Sequence, residues 1–420
     1  MGPLGNSYNA TIVSRGSQSK RRREEMIAED VRTVAEWLVY YDVDVNVSPR
    51  PTDRKGEFEI AKLHGVEVPK IPYARYGTTI SLAVADWFCR SVCAKERGFA
   101  ARMTGSGMSA ILLALRAAGA GSIIAGKVLY GLTSEEINDL SATYGVPVHY
   151  VDSGNLDDIM SAVAAVEGPK ALFFETIGNG VPMPVLDVKG LLREIWTRAD
   201  VTFILDNTFA TCALFNPFSS ASCWVRLTAE LGAPACVFVY VESLSKYYRA
   251  HVTSDRATGG IIMAPAKFVT ERVDPRLKRG HVIATPALLT FPADLYGACE
   301  RVMLRLSNNA EAAAQFLFQH RRVGRENLWY PIEGHRGLFQ DGAGGVLYFN
   351  VRGEERGVGA RLFEPHIPFR ASFGHAESTH VDFGAHDPKQ PAGLIRLAVG
   401  VNETPEEVVA KLEACLGPAR

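Results

Sequence analysis

The sequence predicts an α/β fold: a mostly parallel sheet covered by helices on both faces, followed by a smaller α+β lobe. Three observations carry that prediction. Short β-branched runs ("SIIAG", "ALFFE", "TFILD", "VFVYV" and "GGIIMA") recur between amphipathic helical stretches, and strand–helix alternation of this kind makes parallel sheets. Three of the runs stop abruptly on polar residues: "KALFFETIGNG" on Glu175, "FILDNTFAT" on Asp206, Asn207 and Thr208, and "CVFVYVESLSK" on Glu242, Ser243 and Lys246. From about residue 290 the pattern changes to one long helix, two strands and a closing helix.

In chain order, residues 1–20 are polar with scattered Gly and Ser, and "REEMIAEDVRTVAEWLVYY" has apolar residues at helical spacing. "VNVSPRPTDRKGEFE" reads as an extended arm. "GMSAILLALRAAGAG" places Met108, Ile111, Leu112 and Leu115 at i, i+3, i+4 and i+7, which predicts a helix closing on Gly119 and Gly121. "TSEEINDLSATYG" predicts a second helix, opened by a capping box from Thr133 to Glu136 and ended by Gly145. A long helix, "ACERVMLRLSNNAEAAAQFLFQH", leads into strands "GGVLYFNVRG" and "LIRLAVG". The last helix has Thr404 as its N-cap, Pro405 in the first turn and Glu407 completing the box. The resulting division is an arm over 1–75, a large α/β unit over 76–290 and a smaller α+β unit over 291–420.

Composition narrows the function. A chain of 420 residues that is 47% hydrophobic can build a large core. A net charge of −1 argues against binding nucleic acid through a basic surface, and "SKRRREE" at 19–25 reads as a solvated tail or helix start. Cys89, Cys93, Cys212, Cys223, Cys236, Cys299 and Cys415 are odd in number and scattered. They read as free thiols in a reducing, cytoplasmic setting, with no ligand set for a metal. No apolar run reaches the ~18 residues a membrane span needs.

Ligands of open parallel sheets bind beyond the carboxyl ends of the strands. One polar strand end is an ordinary turn. Three of them, converging on one edge, supply an acid, hydroxyls and an amine. "TGSGMSA" adds a turn that opens a helix, where free backbone N–H groups hold phosphate. Amine, acid and phosphate cup together suit pyridoxal 5'-phosphate. The amine condenses with its aldehyde, and the acid keeps its ring nitrogen protonated.

These residues resemble the Cys/Met-metabolism family of pyridoxal-phosphate enzymes, which includes cystathionine γ-synthase, cystathionine lyases, methionine γ-lyase and acylhomoserine sulfhydrylases. The resemblance rests on seven motifs in order: "YARYGTT", "SGMSA", "LYGLT", "DNTFAT", "SLSK", "ASFG" and "LIRLAVGVNETPEEVVAKLEACL". It implies the aspartate aminotransferase-like fold type I. It also implies Lys246 as the cofactor-binding lysine and proton shuttle, Asp206 on the pyridinium nitrogen with Thr208 beside the ring, and Tyr130 stacked on it. Gly107, Met108, Ser243 and Ser245 would hold the phosphate. Tyr73 and Arg75 would reach the phosphate of a neighbouring subunit, making the active unit a homodimer or homotetramer, with Tyr73 also near the leaving group. Asn179, Arg396 and the backbone around Ser372 would take the substrate carboxylate.

The departures from the family fall on loops and bear on substrate rather than cofactor, read either as neutral loop drift or as a pocket reshaped for an unusual or bulky substrate. "ETIGNG" lacks two prolines, "NPFSSASCWVRLTAE" is inserted after "DNTFAT", "YYRAHVTSDRATGG" is lengthened, and "DPRLKRGHVIATPALLTFPADLYGAC" lacks a family run. His251, His281, His366 and His375 stand on or near such segments. The implied reaction is γ-replacement on an amino acid with a leaving group at Cγ (a homoserine ester, S-adenosylmethionine or similar), using a second, nucleophilic substrate. Carbon–sulfur lysis is the alternative. Transamination fits the family-type "DNTFAT" and "SLSK" less well, and a non-catalytic scaffold fits the retained Lys246, Asp206 and Arg396 less well.

Overall fold

The computed structural model describes residues 77–220, 222–248, 258–292, 294–331, 339, 342–386 and 390–419, together with the backbone of two short strands, β1 (Ile60–Leu63) and β2 (Val66–Pro69). Tyr73, Arg75, His251, the "SKRRREE" run, the predicted N-terminal helix and most of "YYRAHVTSDRATGG" lie outside the described residues.

Seven strands form the large sheet: β3 (Phe99–Thr104), β4 (Ser122–Gly126), β5 (Val148–Val151), β6 (Lys170–Glu175), β7 (Val201–Asp206), β8 (Val237–Ser243) and β9 (Gly260–Pro265). Their order is β3-β9-β8-β7-β6-β4-β5, parallel from β8 to β5, with β9 antiparallel between β8 and β3. The sequence pattern foresees all of these strands but β3 and β5. "FAARMT" carries Arg102, whose guanidinium is paired with Asp274 at 2.7 Å, so its apolar run is broken.

Every residue of β4 and β6 is buried, as expected of parallel strands with both faces covered. Successive side chains alternate between two cores. Leu172, Phe174, Phe203 and Leu205 join one, and Ala171, Phe173 and Ile204 the other. Full burial explains the apolar stretch between the Lys170 and Glu175 that bound β6.

Helix Gly107–Ala118 is capped by the Ser106 side chain, which accepts the Ser109 N–H at 3.0 Å, and ends on Gly119 in the left-handed region. The next helix differs from expectation. It runs Gly131–Tyr144 with Tyr130 at its N-cap and no side-chain cap bond. Thr133 is therefore inside the first turn, where it is buried and its hydroxyl meets the Met108 sulfur at 3.7 Å. The Thr133–Glu136 box does not form.

The "NPFSSASCWVRLTAE" segment is also corrected. It folds into helix Cys223–Leu231, and buried Trp224 packs against Phe99, Trp196 and Phe238 with ring centroids 5.0–5.4 Å apart. Phe99 opens β3 and Phe238 lies near the start of β8, so the insertion fills core at the amino ends of the strands, opposite the carboxyl edge.

A second sheet is antiparallel, ordered β10 (Leu328–Trp329), β11 (Val346–Asn350), β13 (Leu394–Ala398), β12 (Thr379–Asp382). Helix Leu295–Gln319 packs on it and on the closing helix Pro405–Leu416. The closing helix has the predicted Thr404 capping box with Glu407. Buried Glu403 accepts from Ser378 N at 3.0 Å and Gly400 N at 3.2 Å, and pairs with Lys411 at 2.5 Å, tying the end of β13 to the chain before β12.

The two sheets meet where Gly374 crosses the turn holding Lys246. Gly374 has φ +79°, and a Cβ there would stand 2.1 Å from the Lys246 carbonyl oxygen. Gly374→Ala is expected to lower stability by more than ~1 kcal/mol, because both φ and space are wrong for a side chain. Urea unfolding measures this, and an unchanged midpoint contradicts so close an approach.

Candidate active site

The carboxyl edge of the large sheet gathers the polar strand ends into one cavity. Register places Glu175 of β6 directly beside Asp206 of β7, and Ser243 of β8 level with Thr104 of β3 through Gly260. The cavity is lined from these ends by Glu175, Asp206, Thr208, Ser243, Ser245 and Lys246, from the helix 107–118 end by Gly107 and Met108, and by Tyr130 and Asn179. Arg396, Phe373 and Ala371 reach it from the smaller lobe.

Asp206 ends a buried strand and is only 7% exposed. Its Oδ1 accepts the Thr208 N–H at 2.9 Å and hydroxyl at 2.6 Å, leaving Oδ2 for a further donor. The Thr208 hydroxyl in turn accepts the Ser243 N–H at 2.9 Å, which locks β7 to β8 at their tips. Burial pushes the Asp206 carboxyl upward, while the Thr208 bonds and the Lys246 charge draw it back. Asn207 turns inward instead. It accepts from Thr176 at 2.6 Å and donates to Phe215 O and the Tyr240 hydroxyl, so the middle residue of "DNT" holds the turn.

Glu175 organises the other wall. Its two oxygens accept the backbone N–H of Tyr130 at 2.7 Å and of Asn179 at 2.8 Å, so one carboxylate fixes two loops. Burial, then the Asp206 charge, raises its pKa. Asn179 is also held through its side chain, since the Tyr348 hydroxyl donates to its Oδ1 at 2.8 Å.

The Ser106 cap and Ser106 carbonyl take the N–H groups of Ser109 and Ala110. Among the described residues, the N–H groups of Gly107 and Met108 have no partner, and a helix N-terminus so arranged attracts anions. Gly107 is required by close approach: a Cβ would lie 2.6 Å from the Ser243 Cβ. Ser245 bonds both the N–H and the carbonyl of Gly259 at 3.1 and 3.3 Å.

Lys246 stands in a one-turn helix, Leu244–Tyr247, that follows β8 directly. Its Nζ donates to Ser372 Oγ at 2.6 Å and lies 4.6 Å from the Phe373 ring centroid. Ser372 thus approaches the amine through its hydroxyl. Arg396 is 4% exposed, with its guanidinium carbon 5.8 Å from the centroids of Phe373 and Phe383. Its Nη2 donates to Ala371 O at 2.7 Å, and its Nε has no hydrogen-bond partner. Among the described residues no carboxylate bridges it, and a buried cation without a paired acid is costly.

The structure therefore brings together Lys246, Asp206, Thr208, Tyr130, Gly107, Met108, Ser243, Ser245, Asn179 and Arg396, with Ser372 against the lysine. His281, His366 and His375 do not line the cavity. Sequence reasoning missed Tyr348, Phe373 and the clamp role of Glu175. Only Glu175 had a signal, an acid ending the apolar run 171–174. No group of His, Cys, Asp and Glu among the described residues could hold a metal ion, and none of their helices is long and apolar enough to cross a membrane.

A family model described as Cys/Met metabolism PLP-dependent enzyme matches residues 54–417. The chain belongs to this family. It is a pyridoxal-phosphate enzyme of the carbon–sulfur lyase and γ-substitution type. It is similar to an L-methionine γ-lyase of Fusobacterium nucleatum subsp. polymorphum (27% identity, covering 81% of this chain and 85% of the relative). It is also similar to an O-acetyl-L-homoserine sulfhydrylase of Corynebacterium glutamicum (29%, 77% and 81%). The fold matches cystathionine γ-synthase from Xanthomonas oryzae pv. oryzae, with TM-score 0.65, 19% identity, and 92% and 97% of the two chains covered.

A third buried acid backs this edge. Glu242 is 1% exposed, accepts the Cys212 N–H at 2.8 Å and the Tyr248 hydroxyl, and is pushed up to about 8, chiefly by burial. Unfolded, such a carboxyl titrates near 4.5. Between those values the native state keeps a proton that the unfolded chain has lost, so stability falls as pH rises through the window. In the apoprotein, Glu242→Gln is expected to make that fall shallower by up to ~1.4 kcal/mol per pH unit. Urea unfolding at intervals from pH 5.5 to 8 measures it, and parallel slopes contradict a proton held on Glu242.

Proposed function

We propose that this enzyme catalyses γ-replacement: an amino acid carrying a leaving group at Cγ exchanges it for a second, nucleophilic substrate. The convergence of Lys246, Asp206 and Arg396 in one cavity carries this reading. Pyridoxal phosphate, when bound, supplies the electron sink that makes the substrate Cα–H acidic. In our reading Lys246 Nζ holds the cofactor, then takes the protons from Cα and Cβ and returns them. Asp206 Oδ2 keeps the ring nitrogen protonated, and Thr208 supports that carboxylate. Tyr130 covers the ring.

The N–H groups of Gly107 and Met108, with Ser243 and Ser245, take the phosphate. Arg396 and Asn179 take the substrate carboxylate, for which a guanidinium is suited by its paired donors. Ser372, bonded to the lysine, holds the amine in line with the cavity. Tyr73 and Arg75 complete the site from a neighbouring subunit, so the active unit is at least a homodimer. We divide the chain into the arm 1–75 and lobes 76–290 and 291–420. The seven free cysteines, six of them buried, support a reducing, cytoplasmic setting.

One relative, named a methionine γ-lyase, favours a second reading, carbon–sulfur lysis. Product analysis separates the two. Holoenzyme given O-acetylhomoserine and a thiol is expected to release the thioether amino acid, with little 2-oxo acid or ammonia. Dominant 2-oxo acid from methionine or cystathionine, even with thiol present, assigns the lyase instead. Lys246→Ala is expected to lose the visible absorbance of the bound cofactor and all turnover. Retention of both places the reactive amine elsewhere.

A further inference from the structure

The carboxylate end of the cavity depends on a residue whose part the sequence does not reveal. Tyr348 lies in the middle of β11, directly opposite Arg396 of β13 in the sheet register, and is fully buried. Its ring packs 5.6 Å from Phe383, which also flanks Arg396. From there its hydroxyl crosses to the other lobe and donates to Asn179 Oδ1 at 2.8 Å.

The direction of that bond has a consequence. A guanidinium is donor-only, and the adjacent Arg396 stabilises the phenol oxygen as an acceptor, so the Tyr348 proton is the part left to give to Asn179. An amide has one accepting and one donating end. With Oδ1 committed to Tyr348, Nδ2 is the end left to a ligand in the cavity that Asn179 lines. Glu175 fixes the same residue by its backbone N–H, at 2.8 Å. Asn179 is thereby pinned at both ends. Without the hydroxyl, rotation of the amide would present its oxygen to a carboxylate and repel it.

We propose that Tyr348 is a positioning residue for carboxylate recognition: its hydroxyl sets the Asn179 amide with Nδ2 toward the ligand, beside Arg396, and links the carboxylate-binding groups of the two lobes. This rests on the reading that Asn179 and Arg396 take the substrate α-carboxylate. The specificity it confers is for α-amino acids over the corresponding amines.

The test titrates holoenzyme with L-norvaline and with n-butylamine, its counterpart without the carboxylate, following the cofactor absorbance so that no turnover is needed. Tyr348→Phe is expected to weaken norvaline binding about three- to tenfold, the scale of one lost hydrogen bond, and to leave butylamine unchanged. In an Asn179→Ala background the same change is expected to add nothing, because its effect runs through that amide. Arg396→Ala serves as the reference and weakens norvaline alone. If Arg396→Ala discriminates while Tyr348→Phe leaves norvaline unaltered, weakens both ligands equally, or keeps its full effect without Asn179, the role of Tyr348 is overturned. If Arg396→Ala does not discriminate, the carboxylate reading itself fails.

Discussion

The buried carboxylate of Asp206 is the constraint around which the rest of the site is built. Removing an ionised acid from water is costly unless hydrogen bonds and opposite charge offset it. The offsets here are local and named: two bonds from Thr208, and the nearby Lys246 charge. Thr208 can give them only because Asn207, turned inward against Thr176 and Tyr240, fixes the shape of the strand end. The same Thr208 hydroxyl holds the Ser243 N–H, three residues before the lysine. Acid, hydroxyl and the strand end that leads into the lysine turn therefore share one set of hydrogen bonds.

The smaller lobe contributes the complementary charge. Arg396 sits between aromatic rings with its Nε unpartnered, a position that costs stability. Gly374 against the Lys246 backbone and Tyr348 against Asn179 join the smaller lobe to the carboxyl edge of the large sheet. In the proposed reading, recognition of the amino acid draws on both lobes, while the chemistry belongs to the larger one.

Much of this was legible in the chain. Lys246, Asp206 and Glu175 stand out because fully buried strands have no reason to end in charge unless something lies beyond them, and the Thr404 cap follows from local hydrogen bonding. What could not be read is what depends on distant pairing. Thr133 has the residues of a capping box, yet Tyr130, held by Glu175 across 45 positions, starts the helix earlier. The Trp224 segment, readable from the sequence as loop drift or as a reshaped pocket, fills core at the far end of the sheet, because Trp224 meets Phe99 and Phe238. Tyr348 lies in an ordinary apolar run, and its partner is 169 residues away. The "DNT" turn was legible as polar, but the division of labour between Asp206 and Asn207 was not.

The central claim is that Asp206 meets the cofactor ring nitrogen and keeps it protonated. The most direct measurement is the nitrogen chemical shift of holoenzyme reconstituted with ring-¹⁵N-labelled pyridoxal phosphate, compared with Asp206→Asn at a pH above that at which a free pyridine nitrogen loses its proton. The account predicts a protonated nitrogen in the native enzyme and an unprotonated one in the variant. An unprotonated nitrogen in both would contradict it and leave Asp206 as a structural strand end.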